Sequence, residues 1–302
     1  MANSWWEIRV LCNPVLEETI FWRLETFGCQ GTATSRQENG LEIAAYLPQI
    51  KFRFLDLSAM ALLLRQDALA LELPPPRVAW DIIEDEDWAS SWKEHWEPQE
   101  IGDIFLVYPA WLTPPTDSDR HIIRLDPGAA FGTGIHPTTQ LCLEAMEMRL
   151  AKAPETQPVI ADIGCGSGIL SAAALLMGAS KVYAADTDSL AVNTARANGL
   201  LNGMDAQRLI VELGSIERLG LAIERPVDGI LCNILAETIV KLIPQMTTIA
   251  APNCWGVLSG ILLDQANSVR EALYEHGWSV GALWRRENWC CINIRRVVED
   301  DY

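Results

Sequence analysis

The chain has 302 residues, enough for about two domains at roughly 100–200 residues each. Hydrophobic residues make up 49% and charged residues 21%, a balance that excludes wholesale disorder. Asp and Glu total 40 against 23 Lys and Arg, and the resulting net charge of −17 repels bare nucleic-acid phosphates while attracting a basic protein.

The N-terminal run MANSWWEIRV lacks a basic region followed by an apolar core, so no secretory signal is expected there. Apolar stretches such as residues 58–64 and 169–179 fall short of the ~18 residues that a membrane span needs. A cytoplasmic location, with no membrane and no direct nucleic-acid partner, is the expectation. The eight cysteines contain no C-x-x-C pair and read as reduced thiols. His95, His121, His136 and His276 are scattered without metal-ligand spacing, so no metal is expected.

In chain order, residues 5–11 alternate like a strand, and Pro14 opens a helix whose apolar positions include Leu16, Ile20, Leu24 and Phe27. Gly28 closes it. Extended runs at 32–37 and 41–47 flank Asn39–Gly40, a hairpin signal. A helix over 56–71 stops before Pro74–Pro76, and a strand follows at 78–83. The order β-α-β-β-α-β predicts a small α+β ferredoxin-like domain over residues 1–84. Trp88, Trp92 and Trp96 share one face of a predicted linker helix over 85–100, read as packing between domains.

Strands are expected at 101–108 and 121–125. From residue 159 onward strands and helices alternate: strands at 159–163, 181–186, 209–213, 227–233 and 256–259, helices at 169–177, 189–201, 236–250 and 264–276. Two closing strands, 278–286 and 289–297, are joined by a short turn and so pair antiparallel. Repeated βα units ending in that hairpin give an α/β, doubly wound, seven-stranded sheet with an antiparallel last strand over residues 101–302.

The first strand of this unit runs into Asp162-Ile-Gly164-Cys-Gly166-Ser-Gly168, a glycine-rich turn whose backbone can approach a ligand closely. Asp186 ends the next strand, where a carboxylate can accept hydrogen bonds from two ribose hydroxyls. Together they indicate nucleoside binding. A dinucleotide site is disfavoured, because Ile169 stands where its fingerprint needs the third glycine.

The D-x-G-x-G-x-G run resembles motif I of S-adenosylmethionine methyltransferases. Upstream, Asp126-Pro-Gly-Ala-Ala-Phe131-Gly-Thr-Gly-Ile-His136-Pro-Thr-Thr139 resembles the signature loop of the PrmA family of ribosomal protein L11 methyltransferases. So do Asp87–Trp92, Pro109–Trp111, Asn233–Ala236, Ser259–Ile261 and Trp289–Cys290. The resemblance implies S-adenosyl-L-methionine as cofactor and amino groups of ribosomal protein L11, lysines and the N-terminal amine, as targets. It implies that Thr139, Gly164, Asp186 and Asn233 contact the cofactor. Phe131 reads as a residue that stacks on the cofactor, shields its sulfonium or anchors the loop. Residues 1–84 would grip the substrate protein.

Asn233 begins N-I-L-A, in the place of the N-P-P-Y motif of amino-group methyltransferases. Its side-chain oxygen and the next main-chain carbonyl would orient the target nitrogen, without the stiffening prolines. Asp188 reads as the cap of the following helix, leaving Asp186 for the ligand. Thr139 also suits a helix start, and His136 reads as a hydrogen-bonding lock on its loop rather than a base. The alternatives are a methyltransferase acting on another protein, a small molecule or a nucleic-acid base; a nicotinamide dehydrogenase; and an inactive binding scaffold.

Overall fold

A computed structural model describes residues 4–37, 40–84, 96–126 and 132–297. Two compact units divide it, residues 1–96 and 97–302.

In the first unit, β1 (Ser4–Cys12) buries alternate residues, among them Ile8 and Val10. A 3-10 turn at Pro14–Leu16 leads into α1 (Glu17–Phe27), with Asn13 accepting from the Val15 N–H at 3.0 Å. Gly28 ends α1 at φ +98°, a left-handed conformation that glycine adopts without strain. Then come β2 (Gln30–Gln37), β3 (Gly40–Pro48), α2 (Phe54–Ala70) and β4 (Arg77–Glu84). Helix α2 stops at Ala70, before the prolines are reached, through a turn in which Glu72 takes φ +57°. The sheet order β2-β3-β1-β4, antiparallel throughout, is that of a ferredoxin-like sandwich. Leu16, Ile20 and Leu24 of the first helical segment and Leu57, Met60 and Leu64 of α2 fill its core. The expected Asn39–Gly40 turn and most of the expected linker helix lie outside the described residues. From Trp96 the chain is not helical, and Gln99 already begins a strand.

The second unit opens with β5 (Gln99–Ile101), β6 (Phe105–Pro109) and β7 (His121–Leu125), a separate three-stranded sheet. The single strand expected at 101–108 is broken because Gly102, at φ +56°, turns the chain. Next in the chain are α3 (Pro137–Leu150), the single turn α4 (Ala153–Thr156), β8 (Val159–Ile163), α5 (Ile169–Leu176), β9 (Lys181–Asp186) and α6 (Ser189–Leu201). They are followed by β10 (Leu209–Leu213), α7 (Ile216–Ala222), β11 (Val227–Asn233), α8 (Ala236–Ile249), β12 (Ala250–Leu262), α9 (Ala266–Glu275), β13 (Trp278–Arg286) and β14 (Trp289–Arg296).

Strands β8 to β14 form one sheet in the order β10-β9-β8-β11-β12-β14-β13, with β14 antiparallel to both neighbours. Every residue of β8 is buried, as a central parallel strand covered on both faces requires. The chain winds outward from β8 through β9 to β10, then returns to β11 on the other side of β8. That reversal opens a crevice at the carboxyl ends of β8 and β11, the place where such sheets bind ligands. Among the described residues, no helix is long and apolar enough to cross a membrane.

Candidate functional site at the sheet reversal

The turn after β8 is made by glycines that take backbone angles other residues avoid. Gly164, Gly166 and Gly168 have φ of +73°, +53° and +79°. The N–H groups of Gly164 and Cys165 both donate to the Ala185 carbonyl, at 2.8 and 3.0 Å, tying the turn to the end of β9. Gly164 has a second reason to lack a side chain, since a Cβ there would overlap the Cγ2 methyl of Ile234.

Asp186 sits one residue beyond that carbonyl. Its Oδ2 accepts from the Gly166 N–H at 2.9 Å and its Oδ1 from the Asp188 N–H at 3.0 Å. Asp188 caps α6, accepting from the Leu190 N–H at 2.8 Å. Asp186 is therefore already engaged by its own loops, and each oxygen, with one bond accepted, has one further lone pair.

Thr139 and Asn233 come from different elements, the first turn of α3 and the end of β11. Pro137 occupies the first helical position of α3, where its missing N–H costs nothing, and His136 is the cap. The His136 ring accepts from the Thr138 N–H at 3.3 Å, and packs edge-on against Trp289 with ring centres 5.0 Å apart. Burial pushes the His136 pKa down, which keeps the ring neutral and able to accept. Thr139 thus lies inside the first turn rather than at the cap. Fully buried, its hydroxyl accepts from Asn233 Nδ2 at 3.4 Å. Asn233 Oδ1 is buried with no hydrogen-bond partner among the described residues. A buried acceptor left unpaired is costly, and such atoms concentrate where a ligand completes the bonding.

Asp162, inside β8, carries a second unpaired buried oxygen. Its Oδ2 accepts from the Ser171 hydroxyl at 2.6 Å while Oδ1 has no partner among the described residues. Burial, opposed by the Ser171 bond and aided by the negative charge of Asp186, pushes its pKa up to about 7.

The four residues expected to contact a cofactor fall into two pairs: Gly164 with Asp186, and Thr139 with Asn233. Ile234 links the pairs by packing over Gly164. Phe131 lies outside the described residues. Among the described residues no cluster of three or more His, Cys, Asp or Glu side chains could hold a metal.

Sequence reasoning missed the groups that support this arrangement. Asn198 of α6 is buried, accepting from the Asp126 N–H at 2.9 Å and donating to the Ser167 carbonyl at 2.9 Å. Ser167 in turn donates its hydroxyl proton to the Gly132 carbonyl at 2.7 Å. Asn202, one helical turn on, brackets Arg124 of β7 through both its main-chain groups, at 2.7 and 2.8 Å. The available signal was two asparagines at i, i+4, one on the helix after Asp186 and facing the core, the other at its C-terminal cap.

Residues 4–297 match the family described as ribosomal protein L11 methyltransferase (PrmA). A protein of Cyanothece sp. named ribosomal protein L11 methyltransferase is 52% identical, the match covering 98% of this chain and 100% of that protein. Its namesake from Thermosynechococcus vestitus is 50% identical, covering 98% of each. Among solved structures, the ribosomal protein L11 methylase of Lactobacillus delbrueckii subsp. bulgaricus superposes with a TM-score of 0.59 at 31% identity, covering 67% of this chain and all of that one.

Proposed function

The chain belongs to the ribosomal protein L11 methyltransferase family, and from that membership we propose that it transfers methyl groups from S-adenosyl-L-methionine to amino groups of ribosomal protein L11, namely lysine side chains and the N-terminal amine. The observation that carries the reading is the unpaired, buried Asn233 Oδ1 beside Thr139 at the sheet reversal. The residues fit the cofactor. A turn of left-handed glycines leaves room for its backbone-hugging portion, and Asp186 keeps one lone pair per oxygen for ribose hydroxyls.

When bound, S-adenosyl-L-methionine supplies an electrophilic methyl on a positively charged sulfonium. The protein's share of the work is alignment and exclusion of water. Thr139 holds the Asn233 amide through Nδ2, leaving Oδ1 and the following main-chain carbonyl of Ile234 as acceptors for the target amine. Two acceptors fix the direction of the nitrogen lone pair. A lysine must be neutral to attack, and with a free pKa near ~10.4 that costs about 4–5 kcal/mol at pH 7. The net charge of −17 steers a basic substrate toward the enzyme but works against deprotonation. Desolvation of the amine in the crevice lowers its pKa. The first unit is assigned to gripping the substrate protein, on the family resemblance.

Incubation with methyl-labelled cofactor and total ribosomal proteins plus ribosomal RNA tests the reading. Label is expected on L11. Label confined to RNA would overturn it.

A further inference from the structure

The motif after β11 reads Asn233-Ile234-Leu235-Ala236, without the prolines that stiffen N-P-P-Y loops. Two glycines close on it instead. From one side comes Gly164, where any Cβ would overlap the Ile234 Cγ2 methyl. From the other comes Gly260, in β12. Ser259 pairs with Asn233 in the β11–β12 register, so Gly260 lies beside Ile234. The β12–β14 ladder is irregular between Leu258 and Ile261, and Gly260 within that stretch takes φ +80°. A Cβ on Gly260 would stand 2.7 Å from the Ile234 carbonyl carbon and 3.0 Å from its nitrogen, and nearer still to its carbonyl oxygen. These are main-chain atoms, so no rotamer change relieves the collision.

We propose that Gly260 and Gly164 are positioning residues that clasp the Asn233–Ile234 peptide and hold its two acceptors, Asn233 Oδ1 and the Ile234 carbonyl, in register for the incoming amine. The inference rests on the amine-methylating function proposed above. The clasp replaces covalent stiffness with packing: Ile234 is fixed by its side chain on one face and by its backbone on the other. A methyl at position 260 moves the peptide by on the order of 1 Å, and misplacement on that scale costs about a hundredfold in rate. Asp186, the ribose-side group, is held by the Gly166 and Asp188 N–H groups and not by the Ile234 peptide.

The test compares wild type, Gly260→Ala and Gly277→Ala in the full chain. Gly277 has nearly the same backbone angle, φ +76°, but a Cβ there meets nothing closer than 3.8 Å, and it precedes β13 at the opposite end of the sheet. The control therefore carries the same backbone strain without the collision. Turnover on L11 and the Kd for S-adenosyl-L-methionine are both measured. Gly260→Ala is expected to lose about a hundredfold in kcat while the cofactor Kd weakens by less than about tenfold, Asn233 being one of the expected cofactor contacts, and Gly277→Ala keeps wild-type kcat. Wild-type kcat in Gly260→Ala, or a cofactor affinity that falls in step with kcat, overturns the proposal. Should Gly260→Ala fail to fold, Ile234→Gly serves, because it frees the clasped peptide without adding an atom. At least about a tenfold kcat loss, larger than any loss in cofactor affinity, is expected, and wild-type turnover overturns the proposal. A wild-type enzyme that binds the cofactor but methylates no ribosomal protein removes the functional reading itself, and the clasp's role with it.

Discussion

Replacing Asp162 by Asn probes the electrostatics of the glycine turn. In the unfolded chain this carboxyl titrates at its ordinary 3.8, whereas burial in β8 moves it up to about 7. Below about pH 4 both states hold the proton and no penalty exists. As pH rises, the unfolded chain releases its proton first, so unfolding is favoured progressively. Above about pH 7 the folded chain carries a buried carboxylate and the whole penalty is present. Three pKa units at 1.36 kcal/mol each make this roughly 4 kcal/mol. Asn keeps an oxygen for the Ser171 hydroxyl and carries no charge, so the Asp162→Asn variant lacks this dependence. Urea denaturation of both proteins from about pH 4 to about pH 8.5 reads the difference. The variant's stability relative to wild type should climb by roughly 4 kcal/mol across that range, whatever constant offset the unpaired amide introduces. A difference that stays flat would refute the reasoning, because it would mean that the carboxyl does not change protonation there.

Asn198→Ala leaves the Asp126 N–H and the Ser167 carbonyl without their buried partner, and should cost about 2–4 kcal/mol in denaturant unfolding; a loss under about 0.5 kcal/mol would show that neither bond matters. His136→Ala removes the cap of α3 and should lower stability by about 1 kcal/mol, read as a shift in urea midpoint at unchanged slope. Asn233→Ala deletes the candidate amine acceptor, and methyl transfer should fall by at least about a hundredfold while the fold, followed by circular dichroism, is retained.

The β8–α5–β9 unit was legible because each signal in it is local: an apolar strand, a run of glycines, then an acid at the next strand end. Strand β12 was read as only residues 256–259, since Pro252 and exposed Asn253 near its start and the irregularity at Gly260 interrupt any simple pattern. The short helix α7 went unseen because it spans only two turns and contains Gly220. In the site, the types and positions of Gly164 and Asp186 follow from the glycine turn and its spacing. The meeting of Thr139 with Asn233, by contrast, joins the start of α3 to the end of β11, and local pattern carries no trace of it; only family resemblance named that pair. The roles of Asn198, Ser167 and Gly260 stayed hidden for the same reason, as each acts on a segment distant in sequence. Asp186 shows the limit from the other side: its identity was clear, yet its two bonds to the Gly166 and Asp188 amides emerged only from the folded loops.

Titration calorimetry of S-adenosyl-L-methionine into the wild-type chain and Asp186→Ala bears most directly on the site at the sheet reversal. Saturable one-to-one binding by wild type, weakened by at least about tenfold in Asp186→Ala through loss of charge-assisted hydrogen bonds, is the expected result. No binding by wild type, or equal affinity in both proteins, would contradict it.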